Sequence, residues 1–419
     1  MKASAPAVGA SAGVPPTADR SYINRILLLF CSGWAIVYMD RTILYPLIPA
    51  VKEDLGLTAT QAGWIMGIYF LMYAPTQGVG GIIADWFGVK RILVLFMSLA
   101  ALGLLLLGTA STYPLLLLAV AIHGLGSGCY YVGAYGITMQ TVPNRVRGIS
   151  AAIVNSGMSL GLVVGLLAAE PLYRAAGSWR LPFLILAVPT LAAAVAYQLL
   201  IRPVPRQKFT LRGVGAFFSD RHLLCLALAD FAGVYAYFVI LQWGPTFFQT
   251  ERGFGILKSG FFTAILALAA PAGIVMGRLS DRLGRKRVSL GMLPVAGLCV
   301  FALPLIHSEA MLLVVLVVYA MVGKLAWDPV VYSWAGDRVT SVHGTTVAGC
   351  MGIFASVALS SAFVSPVVTG WIRDHTGSLA GGFYLAGAMT VLGSLLLFVP
   401  AETVLKPRAE ERSLAGARR

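Results

Sequence analysis

Gly81-Ile82-Ile83-Ala84-Asp85-Trp86-Phe87-Gly88-Val89-Lys90-Arg91 returns 196 residues later as Gly277-Arg278-Leu279-Ser280-Asp281-Arg282-Leu283-Gly284-Arg285-Lys286-Arg287, with Gly, Asp, Gly, Lys and Arg in register. The offset is close to half of the 419 residues, which marks a duplicated chain. Each copy follows a long apolar run, turns through a glycine near an acid, and shows a basic cluster before the next apolar run. This is the pattern of a tight loop between two membrane-spanning helices, used once in each half.

Composition agrees. Hydrophobic residues make up 58% of the chain and charged residues 11%, with 46 glycines spread through the apolar runs, a balance found in lipid-embedded helices rather than soluble domains. The net charge of +14 would suit a nucleic-acid partner only if the basic residues shared one exposed face. Instead they punctuate the apolar runs, so no nucleic-acid partner is expected. Cys31, Cys129, Cys225, Cys299 and Cys350 all lie inside apolar runs without ligand spacing, which predicts free thiols and no metal or other cofactor.

Apolar runs of helical length fall at roughly 23–50, 60–83, 91–111, 114–141, 149–172, 180–201, 222–248, 257–279, 288–307, 310–335, 344–371 and 379–401. Each is long enough to cross a hydrocarbon layer of about 30 Å. Backbone groups cannot stay unpaired in lipid, so the expected fold is an all-α membrane protein of twelve transmembrane helices. Pro75, Pro271 and Pro329 are expected to mark kinks. The spans divide the chain into a disordered tail over 1–21, a six-helix bundle over 22–201, a basic linker over 202–221, a second six-helix bundle over 222–402, and a tail over 403–419. Within the linker, the stretch from Phe209 to Phe218 reads as an amphipathic piece able to lie on a membrane surface. Most of the 31 Lys and Arg fall in the tails and in loops on the side of the repeated motif, which places both termini in the cytoplasm.

The duplication reaches further: Val146-Arg147-Gly148 corresponds to Val342-His343-Gly344, and Arg174 with Gly177-Ser178 to Arg373 with Gly377-Ser378. The six-plus-six arrangement, with Gly-x-x-x-Asp-x-x-Gly-x-Lys-Arg after the second and eighth spans, resembles the major facilitator superfamily over essentially the whole chain. Tyr38-Met39-Asp40-Arg41, Gly63, Tyr73-Ala74-x-x-Gln77 and Arg147-Gly148 are similar to the patterns of its anion:cation symporter family of organic-anion carriers.

That resemblance implies proton coupling at Asp40, and substrate contacts at Arg41, Tyr38 and Tyr73. Independently, charges at mid-membrane depth are costly, so Asp40 and Arg41 should face a cavity or a partner. An Asp–Arg pair that only holds helices together is the competing reading. Family members commonly carry an arginine, and a proton-coupling glutamate after a Gly-x-Gly, in the fourth span. Here Gly126-Ser127-Gly128 leads into Cys129-Tyr130-Tyr131, leaving His123 as the candidate replacement.

In the second half, Asp230 lies in the seventh span, and Lys324 and Asp328 sit at i, i+4 on one face of the tenth. Spans one, four, seven and ten line the cavity of the resembling fold, so Asp40, Arg41, Asp230, Lys324 and Asp328 are expected to converge. Lys324 and Arg41 would then give one cationic anchor per half, with Asp230 or Asp328 taking protons; a self-neutralising pair is the alternative. Asn155, Gln242 and Trp243 offer further polar groups, and Glu170 reads as a solvated acid. Asp85, Arg91, Arg147, Asp281 and Arg287 are candidates for ion pairs that close an inner gate.

These readings point to a multi-pass transporter of the inner membrane of a bacterial-type cell, functional as a monomer. It would carry a small organic anion such as a carboxylate or sugar acid, with protons. An efflux antiporter, an anion exchanger or facilitator, and a non-transporting receptor remain open. No nucleotide loop, metal spacing or nucleophile–base arrangement argues for an enzyme.

Overall fold

The computed structural model describes residues 19–143, 146–202, 214–343 and 347–404. Among them the chain is all-helical, without a strand. Eleven helices are long and apolar enough to cross a membrane: α1 (Arg20–Leu55), α3 (Val89–Gly108), α4 (Tyr113–Thr141), α5 (Ile149–Ala176), α6 (Leu181–Leu200), α7 (Arg221–Arg252), α8 (Ile256–Leu283), α9 (Arg285–Leu305), α10 (Glu309–Val342), α11 (Cys350–Thr376) and α12 (Ala380–Phe398). A further helix, α2 (Ala59–Phe87), covers the second apolar run in 29 residues and stays helical through Pro75. A short helix, Val214–Ser219, precedes α7. The terminal tails and 203–213 of the linker lie outside the described residues.

Apolar side chains on the outer faces stay uncovered. Leu95 on α3 and Val188 on α6 expose 61% and 68% of their surface, as lipid-facing residues must in a chain that buries its polar groups inward.

Several helices break near their middles. α1 turns at Ile43, α4 at Cys129, and α7 widens into a π-helical turn over Val239–Trp243. α8 tightens into a 3-10 turn over Ile265–Leu268, just before Pro271. α10 stops at an extended Gly323 and restarts at Lys324, upstream of Pro329. A Cβ on Gly323 would sit 2.6 Å from the Tyr319 carbonyl, so only glycine fits the break. Interrupted helices in membrane proteins occur where backbone lines a cavity, and α1, α4, α7 and α10 are the helices expected to do so.

The repeated loops turn through Gly88 and Gly284, whose φ angles of 89° and 99° suit glycine alone. In the second copy, Glu402 accepts hydrogen bonds from the Arg285 and Lys286 N–H groups, both at 3.0 Å, and so caps the start of α9. Arg285 lies 2.8 Å from Asp337 and 3.6 Å from Asp281, while Thr403 donates to Asp337. Two of the gate candidates meet partners in their own half: Asp281 meets Arg285, and Arg147 donates to the Val142 carbonyl at 3.4 Å. Arg91 and Arg287 are exposed, and the Asp85 side chain lies outside the described residues.

At the opposite end the halves close on each other. α2 and α11 approach where a Cβ on Gly63 would stand 2.3 Å from the Pro366 carbonyl. Asp374 of α11 accepts from Ala59 N–H at 2.8 Å, from Thr60 N–H at 2.7 Å and from the Thr60 hydroxyl, capping α2 across the interface. Glu170 of α5 likewise accepts from the Leu257 N–H at the start of α8. It also pairs with Arg174 at 2.6 Å, which corrects its reading as a simply solvated acid. Gln249 donates to the Pro46 carbonyl at 2.9 Å. Among the described residues, the hydrogen bonds seen between the halves lie at this end.

Each capping carboxylate satisfies orphan N–H groups and faces a positive helix end, worth about 1 kcal/mol apiece. Removing both, as Glu170→Ala with Asp374→Ala, is expected to shift the population roughly thirtyfold toward a state open at this end. Spin-label distances between the α1–α2 and α7–α8 turns check this; an unchanged distribution refutes it.

Candidate functional site

α1 carries Asp40 and Arg41 to the last turn before its break, and both are buried, at 2% and 6% exposure. The two do not neutralise each other. Asp40 Oδ2 accepts a hydrogen bond from Thr190 of α6 at 2.8 Å, while its Oδ1 has no partner. Arg41 lies with its guanidinium carbon 3.7 Å from the Tyr38 ring centre and 5.4 Å from that of Phe70, and its Nε donor is unpaired. Cation–π contact compensates part of the cost of its burial without neutralising its charge.

Aromatic residues of α2 complete this wall. Tyr73 is buried and stacks on Tyr69 with ring centres 5.6 Å apart, and Tyr69 meets His123 of α4 at 5.3 Å. His123 Nδ1 lies 3.2 Å from the Ala100 carbonyl. Because a carbonyl only accepts, Nδ1 holds the proton and Nε2 presents a lone pair. Cys129, at the helix break, turns its Sγ toward the Thr76 carbonyl at 3.8 Å. Asn155 accepts from the Tyr135 hydroxyl and is exposed, so its amide oxygen is partly engaged.

From the other half, the π-helical turn of α7 brings in Gln242, fully buried beside the Tyr45 side chain, with neither amide atom completing a hydrogen bond. The adjacent Trp243 donates to the Pro366 carbonyl at 3.0 Å, so it holds α7 to α11. Tyr237 is buried with an unpaired hydroxyl and lies within electrostatic reach of Arg41, Tyr45 and Tyr319.

Lys324 starts the second segment of α10. Its Nζ lies 3.1 Å from Asp230 Oδ1 and hydrogen-bonds Asp328, with the Tyr332 ring centre 5.2 Å away. Asp230 has no exposed side-chain surface, whereas Asp328 exposes a third of its own (33%). With all three ionised the cluster holds one negative charge in excess, so it favours either one proton or a second cation.

The expected convergence of five charged groups thus takes the form of two clusters. Asp40 and Arg41 sit with Tyr38, Tyr73 and His123; Lys324 sits with Asp230 and Asp328. Tyr237 and Tyr319, both buried with unpaired hydroxyls, stand between them. Sequence reasoning missed Thr190, Tyr69 and the cross-half role of Asp374. Thr190 and Tyr69 belong to no motif. Asp374 could have been suspected only from the helix start at Thr58-Ala59-Thr60 that it caps.

The sequence pattern that describes the Major Facilitator Superfamily matches residues 30–358. A probable sulfoacetate transporter of Cupriavidus necator is 27% identical over 415 residues, covering 92% of this chain and 95% of that one. A hexuronate transporter of Bacillus subtilis is 27% identical over 407 residues, covering 88% and 92%. A probable galactarate/D-glucarate transporter of the same organism is 26% identical over 445 residues, covering 94% and 95%. Among solved structures, a bacterial homologue of the human lysosomal transporter Spinster, inward-facing and occupied, superposes with a TM-score of 0.74 at 18% identity, covering 91% of this chain and 96% of that one. The family and these relatives are transporters rather than enzymes. Duplicated loops, interrupted helices and a sequence match over most of its length place this chain in the Major Facilitator Superfamily, as a multi-pass membrane transporter.

Proposed function

We propose that the protein moves a small organic anion, a carboxylate or sugar acid, across the inner membrane by alternating access with proton symport. The observation that carries this is Arg41: a buried guanidinium set against the Tyr38 ring, with no carboxylate in an ion pair with it among the described residues. Relatives named for sulfoacetate, hexuronate and galactarate/D-glucarate transport support the substrate class. In this reading α2 is the twelfth span, both termini are cytoplasmic, and six-helix bundles over 22–201 and 222–402 rock about the site as a monomer. Closure at the end away from the repeated loops then corresponds to an inward-facing state.

Arg41 binds the carboxylate, Tyr38 and Tyr73 position it, and Gln242 takes a second oxygen. Lys324 is held by two acids until one is protonated, which frees its charge for the far end of the substrate. Protonation of Asp40 and of the Asp230–Asp328 pair thereby ties anion binding to proton uptake. Asp85, Arg91, Arg147, Asp281 and Arg287 form the inner latch of the opposite state.

In proteoliposomes with an imposed pH gradient, native protein is expected to accumulate substrate. Asp40→Asn is expected to exchange it without accumulation, so accumulation by that variant overturns the coupling role. A second reading, an anion exchanger, is favoured by the buried thiol of Cys129 where a proton-coupling acid would stand. Uptake indifferent to the pH gradient would select it.

A further inference from the structure

One small pocket between α1, α2 and α4 is lined by Asp40, Arg41, Tyr69 and His123, with Ile65 and Phe183 among its apolar walls. Each of the four polar side chains is more than nine-tenths buried, and each has an atom without a partner: Asp40 Oδ1, Arg41 Nε, Tyr69 Oη and His123 Nε2. Burying four such groups unpaired is costly, so a partner joining them is expected. The space open to a water centre is about 10 Å³, close to what a single water needs.

The donor and acceptor pattern matches one water. With Nδ1 bound to the Ala100 carbonyl, His123 Nε2 can only accept, and so can the Asp40 carboxylate oxygen. The Tyr69 hydroxyl and the Arg41 Nε–H can donate. Two acceptors and two donors are the complement of a tetrahedral water. Thr190 occupies the other Asp40 oxygen, and Ser127 and Arg41 both lie near the Tyr69 hydroxyl without completing a hydrogen bond. Tyr38 and Tyr45 face Arg41 from α1, and Tyr73 faces it from α2.

We infer that Asp40, Arg41, Tyr69 and His123 cage one ordered water, and that this water joins Asp40 to His123 as a proton-sharing pair. When Asp40 takes a proton its carboxyl donates to the water, and the Tyr69 hydroxyl, which can accept as well as donate, turns to accept from it. A proton then leaves the Asp40 carboxyl for the water oxygen as one of the water's own protons passes to His123 Nε2. The products are a carboxylate, a water and an imidazolium, and the reverse step restores the start. The pair lies wholly within the first half, so a proton can be held there while the halves rock. The inference rests on the proton-coupled reading only for the use made of the proton.

Infrared difference spectra of the purified protein in lipid, recorded in ordinary and in heavy-oxygen water, test it. The native protein is expected to show an isotope-sensitive O–H stretching band of an ordered water. His123→Gln, whose amide oxygen still accepts, is expected to retain the band, and His123→Leu to lose it. Tyr69→Phe, the milder change, is expected to shift it. The protonated Asp40 carbonyl stretch, identified by its loss in Asp40→Asn, is expected to move in His123→Leu. Absence of the water band in the native protein, or its persistence unchanged in both His123→Leu and Tyr69→Phe, overturns the site. An unmoved Asp40 stretch overturns the sharing. The band present in a protein whose uptake ignores the pH gradient upholds the site and overturns the coupling reading instead.

Discussion

Arg41→Ala is expected to abolish uptake of carboxylate substrates while the protein still reaches the membrane in normal amount. Losing one partner of a buried, hydrogen-bonded charge pair costs about 2–5 kcal/mol, a loss of roughly thirtyfold to several thousandfold in affinity. Arg41 is a strong candidate for that partner because its charge is contacted by the rings of Tyr38 and Phe70 rather than by an acid. Arg41→Lys is expected to fall well short of native uptake, since an ammonium cannot reproduce the planar fork that grips both oxygens of a carboxylate. Initial rates of labelled substrate uptake in proteoliposomes, normalised to reconstituted protein, measure both variants. Full uptake by Arg41→Ala would remove Arg41 from the substrate site.

The second large effect concerns folding as well as transport. Lys324→Ala leaves Asp230 with no exposed side-chain surface and no cation beside it. Breaking a buried ion pair in this way costs about 3–5 kcal/mol, because the remaining carboxylate is left uncompensated. Thermal unfolding of the purified protein should therefore drop sharply for Lys324→Ala and recover largely for Lys324→Ala combined with Asp230→Asn, which removes the stranded charge. Native-like unfolding of the single variant would mean that the pair contributes little and that Asp230 is already neutral. The double variant also separates stability from function. A folded but inactive double variant is the result expected if Lys324 contacts the anion or Asp230 takes the proton, and full uptake by it would confine both to a structural role.

The candidate site was legible in part, for reasons that differ from residue to residue. Asp40, Arg41, Asp230, Lys324 and Asp328 stood out because ionisable groups in apolar runs are costly and therefore informative wherever they occur. The i, i+4 spacing of Lys324 and Asp328 announced their contact. Asp230 reaches the same lysine from another helix, and the helical period of α10 holds no trace of it. Glu170 reads as a solvated acid near a helix end, and Asp374 carries no signal of its own in the sequence. Their true partners are backbone N–H groups of the other half, and any sequence supplies those. Tyr69 and Gln242 matter because their polar atoms are left unpaired, and only the packing around them decides that.

By itself the sequence determined the helical architecture, the duplication and the positions of the charged groups, since each of these is written in local periodicity, in a repeat at fixed offset, or in composition. The Gly-Asp-Gly-Lys-Arg loops specified their own turns, because Gly88 and Gly284 adopt angles that only glycine tolerates. Only the tertiary structure decided what each charge meets. Asp40 finds Thr190 across 150 residues and Asp374 finds Ala59 across 315, and neither pairing follows from residue type or spacing. Such contacts arise when whole helices pack, through close approaches such as that of Gly63 to Pro366, and they divide the charged residues into two clusters where the sequence suggested one.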